Sequence, residues 1–181
     1  RKGEDIPEIC EQLEDQGKSP YIIPYGGSNE FGALGFVEAV KELDAQLNGR
    51  TFSHVVFASS SGGTHAGLLL GKKICNHSYR LIGINIDKDE NAEIPLDRYI
   101  LLLAKRTADY LDVNHSFSLD DLELIGDYVG AGYGVVGSLE REAIKIVAQT
   151  EGILLDPVYT GRAMGGLIDM IRRGLLNADD N

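Results

Sequence analysis

A chain of 181 residues has the size of one domain, for which the soft prior is about 100–200 residues. With 43% hydrophobic and 25% charged residues it can bury a real core, which excludes disorder as its main state, and no apolar run approaches the ~18 residues of a membrane span. Its formal net charge of −11 repels polyphosphate backbones and anionic lipid, so nucleic-acid and membrane partners are disfavoured.

Residues 4–17 read as a short amphipathic helix with acids in its first turn, ending at Gly17. Tyr21-Ile22-Ile23-Pro24 reads as a short strand that stops at the proline and runs into Gly26-Gly27-Ser28-Asn29. From Phe31 the apolar positions Leu34, Val37, Val40, Leu43 and Leu47 recur at helical spacing, and Asn48-Gly49 ends that helix. Phe31, Leu34, Val37 and Leu43 are its expected core residues. His54 to Ala58 is an apolar strand, Ser59-Ser-Ser-Gly-Gly-Thr64 a loop, and Ala66 to Ile74 a helix. Leu81 to Ile86 is the next strand, followed by an acidic, proline-containing loop to about Asp97 and a helix from Tyr99 to Leu111.

Ser118-Leu-Asp-Asp121 has the form of a capping box opening a further short helix. After the Gly130–Gly137 stretch, Leu139 to Gln149 is helical, Ile153-Leu-Leu-Asp156 a strand, and Arg162 to Arg173 a helix with Gly174 at its end. Short apolar strands alternating with helices predict an α/β architecture, a parallel sheet flanked by helices.

Glycine is over-represented, with 22 residues or about 12% against an ordinary ~7%. The glycines gather beside Ser, Thr and Tyr, where backbone must turn tightly or approach something closely. Cys10 and Cys75 are isolated, which points to reduced thiols in a cytosolic setting. His54, His65, His77 and His115 lack ligand spacing, so no metal site is expected. The opening at Arg1 without a signal segment suggests processing or a piece of something longer.

The strand–loop–helix unit at 54–74 is the most informative local feature. Parallel strands deliver ligands to their carboxyl ends, where the next helix offers free N–H groups and the positive end of its dipole. Gly62 and Gly63 let backbone approach an oxyanion, and Ser61 and Thr64 add hydroxyls. The loop lacks the lysine of a Walker A motif and the glycine pattern of a dinucleotide fingerprint, although Asp87 stands near the place of a ribose-binding acid. On residues alone it is a phosphate cradle, a plain tight turn or a dinucleotide site. His65 reads as a ligand contact or as a surface or helix-start histidine, and Ser28 and Asn29 as site borders or helix caps.

Three segments, Tyr25-Gly-Gly-Ser-Asn-Glu-Phe-Gly-Ala-Leu-Gly35, Ser59-Ser-Ser-Gly-Gly-Thr-His-Ala-Gly-Leu68 and Leu155-Asp-Pro-Val-Tyr-Thr-Gly-Arg-Ala163, together resemble the D-cysteine desulfhydrase / 1-aminocyclopropane-1-carboxylate (ACC) deaminase family. A fourth match is Gly132-Tyr-Gly134, whose tyrosine stands 26 residues before Tyr159. Members of that family are pyridoxal-phosphate enzymes of the tryptophan synthase β-like fold, fold type II. The resemblance implies that Ser61, Gly62, Gly63 and Thr64 hold the cofactor phosphate and that Tyr133 and Tyr159 face the substrate. It places Thr160 near the pyridine nitrogen, where ACC deaminases carry Glu and D-cysteine desulfhydrases Thr or Ser.

A neutral hydroxyl there makes a weaker electron sink, sufficient when a thiol leaves the β-carbon. The implied reaction is elimination of D-cysteine to pyruvate, sulfide and ammonia, by a cytoplasmic homodimer acting on a small amino acid. The alternatives are an ACC deaminase, a non-catalytic cofactor-binding fragment, or a nucleotide- or phosphate-binding domain without pyridoxal phosphate. Two positions depart from the family pattern: Arg162 stands where it usually has Lys, and Val136 where it commonly has Pro. The family's Schiff-base lysine has no counterpart among the eight lysines. By that comparison residues 1–24 are the tail of the small cap domain, and 25–181 a large cofactor domain incomplete at its N-terminal side.

Overall fold

The computed structural model describes residues 5–87, 93–177 and 179–180; part of the acidic loop expected before Asp97 lies outside them. Three parallel strands, β1 (His54–Ser59), β2 (Arg80–Asn85) and β3 (Glu123–Ile125), form one sheet in the order β1-β2-β3. Val56 pairs with Ile82 and Ile82 with Glu123, so all three strands run out at the same edge.

Alternation along the strands fills two layers. Val55, Phe57 and Leu81 pack with Ala66, Leu69, Ile100 and Leu103 of α3 (Gly63–Ile74) and α4 (Leu96–Tyr110). Val56, Ala58, Ile82 and Ile84 pack instead with Ala163, Leu167 and Met170 of α6 (Thr160–Arg172), beside Leu139 of α5 (Ser138–Thr150). Side chains of successive strand residues point to opposite faces, and a strand buried on both reads as a continuous apolar run. The outer helix α2 (Glu30–Leu47) reaches α3 and α4 through Val37, Leu70 and Ala108. Asn29 caps it, its side chain accepting from the Gly32 amide at 2.8 Å, and Asn48 ends it in the left-handed region at φ 50°. A first helix, α1 (Ile6–Asp15), buries no residue.

Several expectations need correction. The capping box at Ser118 opens only a single turn over Leu119–Asp121, and the chain then enters the short strand β3 instead of a helix. Neither Tyr21–Pro24 nor Ile153–Asp156 is a strand among the described residues. Both are short apolar runs with nothing paired against them, and they leave Ile23 70% and Leu154 85% exposed. Phe31 is 51% exposed instead of core, its ring edge-on to Tyr110 at 5.0 Å, whereas Val37 is buried as expected. Helices α3, α4 and α6 each begin two or three residues earlier than the periodicity suggested, which carries Thr64 and Thr160 into first turns.

Candidate functional site

Each strand hands its carboxyl end to the same place. A cavity of about 780 Å³ is lined by Ser60 and Ser61 beyond β1, Asn85 and Asp87 at the end of β2, and Gly126 beyond β3. Tyr25 and Tyr99 supply aromatic walls. That volume suits a cofactor together with a small substrate.

The loop after β1 is built for close approach. Gly62 caps α3 in the left-handed region at φ 90°, with the Tyr99 ring over it. The Gly63 amide, one of the unpaired N–H groups that open a helix, donates to Ser28 Oγ at 3.0 Å. Ser28 Oγ donates in turn to Ser61 Oγ at 2.7 Å, and the Ser28 carbonyl accepts from Tyr99 Oη at 2.7 Å. A Cβ on Gly63 would lie 2.7 Å from Ser28 Oγ. With the Gly63 amide and the Ser28 hydroxyl engaged in this chain, the Ser61 hydroxyl and the first-turn amides of α3, beside a position closed to side chains, are the donors that fit a phosphate. Of the expected cradle residues, Ser61 lines the cavity, while Gly62, Gly63 and Thr64 follow it directly into α3.

His65 stands at a helix start, as the third residue of α3, but it is not a surface residue and does not line the cavity. It is fully buried, its Nδ1 3.2 Å from Ser59 Oγ, its ring edge-on to Phe57, and its Nε2 without a partner among the described residues. The room for it comes from Gly83, where a Cβ would lie 2.7 Å from the imidazole. Burial lowers the His65 pKa to about 3.

Tyr133, Tyr159 and Thr160 form a neighbouring cluster and are not among the residues lining the cavity. Tyr133 and Tyr159 share a hydrogen bond of 2.5 Å between their hydroxyls, with the rings edge to face at 5.9 Å. That bond from Tyr133 is the largest influence raising Tyr159 to about 12; burial and the Tyr133, Tyr25 and Asp156 charges add to it. Tyr159 is therefore a protonated phenol near neutrality, a donor where a base would need the opposite shift.

Asp156 organises the turn. Its carboxylate accepts from the amides of Val158 (2.7 Å), Tyr159 (2.8 Å) and Thr160 (2.7 Å), and from Thr160 Oγ1 at 2.7 Å. Burial opposes its ionisation, but the bonds from Tyr159, Thr160 and Val158 outweigh that and hold it at about 2. The Thr160 hydroxyl proton is thus committed to Asp156, while its oxygen accepts from the Asp156 amide at 2.9 Å. Asp156→Ala is expected to cost about 1–2 kcal/mol, the value of a lost helix cap. It should also bring the Tyr159 titration down, read on its own 13Cζ resonance because Tyr79 is raised to about 12 as well; an unchanged Tyr159 titration would show that it does not depend on this turn.

Three site residues carried no signal that sequence reasoning used. Tyr25 was read only within its motif, Tyr99 only as the start of a helix, and Glu140 not at all. Glu140 sits at the third position of α5, where its Oε2 accepts from the Gly137 amide at 2.7 Å. An acid three residues past a glycine at a helix start was the available clue.

The family model described as "pyridoxal-phosphate dependent enzyme" matches residues 3–181. A D-cysteine desulfhydrase of Klebsiella pneumoniae (strain 342) is 42% identical over 169 residues, which cover 93% of this chain and 50% of that protein. A crystal structure described as an ACC deaminase homologue superposes with a TM-score of 0.86 at 37% identity, covering 98% of this chain and 53% of its own. The chain thus spans about half the length of the curated relative it matches.

Proposed function

The chain belongs to the pyridoxal-phosphate-dependent enzyme family, and from that premise we propose that it serves a D-cysteine desulfhydrase. The reaction would convert D-cysteine and water to pyruvate, sulfide and ammonia. The observation that carries this reading is the Ser61–Thr64 loop, opening α3 at the carboxyl ends of three parallel strands beside one large cavity. In it Ser61, Gly62, Gly63 and Thr64 hold the cofactor phosphate. Bound pyridoxal phosphate supplies the electron sink for the carbon beside an amino group.

Tyr133 and Tyr159 face the substrate, their shared hydroxyl proton available to a departing sulfur. Thr160 would be the residue toward the ring nitrogen, and a neutral side chain there, in place of a carboxylate, supports the desulfhydrase over the deaminase. No lysine lines the cavity among the described residues, so the reading takes the cofactor's anchoring amine from outside them. It extends to residues 25–181 as the large domain, residues 1–24 as the tail of a smaller one, and a cytoplasmic homodimer. The free cysteines Cys10 and Cys75 support the compartment, and the apolar surface at Tyr21–Ile23 and Ile153–Leu154 supports the association.

Full-length protein mixed with pyridoxal phosphate should gain the absorbance of the bound cofactor and release pyruvate and sulfide from D-cysteine, whereas residues 1–181 by themselves are expected to turn nothing over. Gly63→Val is expected to weaken cofactor binding by tenfold or more, about 1.4 kcal/mol. Turnover of ACC without turnover of D-cysteine would move the assignment to the deaminase. Cofactor binding with no turnover of either would leave a binding fragment, and competition by a dinucleotide with no effect of pyridoxal phosphate would overturn the reading.

A further inference from the structure

Arg162 is 1% exposed, on the third residue of α6, and its guanidinium touches three separate segments. Nε donates to Glu140 Oε1 at 2.6 Å. Nη1 donates to the Ile86 carbonyl just past β2 (2.9 Å) and to the Gly132 carbonyl (3.1 Å), and Nη2 donates to the Val135 carbonyl (2.8 Å). Gly132 and Val135 bracket Tyr133, while Tyr159 is the residue that caps the helix Arg162 stands on.

The loop has little stiffness of its own. Gly130, Gly132 and Gly134 all have positive φ, at 61°, 119° and 74°. Its internal turn bonds are long, Gly132 N to the Val129 carbonyl at 3.2 Å and Val135 N to the Gly132 carbonyl at 3.3 Å. We infer that Arg162 is the positioning residue of the Tyr133–Tyr159 pair, fixing the carbonyls on both sides of Tyr133 relative to the helix that carries Tyr159. Lysine offers a single ammonium and cannot span these carbonyls, whereas the planar five-donor fork of arginine does. Glu140 offsets the buried charge; the carbonyl bonds set the geometry.

That this geometry serves elimination rests on the function proposed above; the geometry itself is read without substrate or cofactor. Tyrosine 13Cζ resonances of the ligand-free protein, assigned with Tyr133→Phe and Tyr159→Phe, report the shared hydrogen bond. Arg162→Lys, which keeps the charge, is expected to move both resonances and leave those of Tyr79 and Tyr99 in place. Adding Val136→Pro should restore them in part, because proline narrows the loop's freedom and the Val136 amide donates no backbone bond among the described residues. Glu140→Gln keeps an acceptor for Nε, so it should lower the melting temperature and leave both resonances unmoved.

The inference is overturned if Arg162→Lys lowers the melting temperature while the pair stays unchanged, since Arg162 would then be structural only. Were Arg162→Lys not to fold, Glu140→Gln decides: loss of the pair there would assign its positioning to the ion pair instead. In the loaded enzyme the same lysine variant should lose about tenfold or more in kcat with KM little changed, as misplaced groups do. A loss of activity with unmoved resonances would overturn the positioning role, and moved resonances in a protein inactive on D-cysteine would count against the activity alone.

Discussion

Lowering the pH from 7 to 4 is expected to remove about 3 kcal/mol of stability through His65 alone. In the unfolded chain this imidazole takes a proton near its ordinary 6.5, while in the fold burial holds it at about 3. The stabilising difference is whole above 6.5. It falls by about 1.4 kcal/mol for each pH unit below that, until the folded site itself accepts a proton. Phe57, Gly83 and Ser59 pack around the imidazole, and among the described residues no carboxylate is bonded to it. Asp156, held at about 2, adds a loss of the same sign at still lower pH. Urea midpoints at pH 7, 5.5 and 4 measure this, and His65→Gln should flatten most of the acid slope. An equally steep slope in that variant would place the acid sensitivity elsewhere.

Glu140→Ala should destabilise the fold by about 3–5 kcal/mol, the cost of leaving a buried partner charge unpaired. Arg162 and Glu140 have side chains 1% and 4% exposed and meet at 2.6 Å. Burial pushes the Glu140 carboxyl up, but the Arg162 bond and its own and the Gly137 amides overcome this and hold it below the ordinary range. The alanine variant also loses the acceptor that closes the start of α5 at Gly137. The contrast is Glu142, paired with Arg172 at 2.7 Å where both side chains are more than half exposed. There solvent screens the pair, so Glu142→Ala should leave the denaturation midpoint nearly in place. Comparable losses in the two variants would contradict the weight given to burial.

The helices and two of the three strands were legible because their apolar periods are long or bounded by plain stops, as at Asn48-Gly49. Strand β3 was not, because three residues after a capping box give no period to read. Ile153–Asp156 failed for the opposite reason: its composition is that of a strand, but pairing is a property of neighbours, and the described residues provide none. The Ser61–Thr64 loop could be read because sequence neighbours build it. The bond between Tyr133 and Tyr159, and the reach of Arg162 to Glu140 22 residues away, depend on how α5 and α6 pack. The burial of His65 was legible in the sequence, since it stands one turn before the buried Leu69 on the inner stripe of α3.

The seat of His65 on Gly83 has a consequence for anyone redesigning this protein. Positions 65 and 83 lie on different elements, 18 residues apart, yet they share one small volume. A side chain at 83 evicts the imidazole, and a smaller residue at 65 leaves a void over bare strand backbone. The two positions are one design variable: acid tolerance is gained at residue 65 only by choosing, in the same step, what fills the space above residue 83.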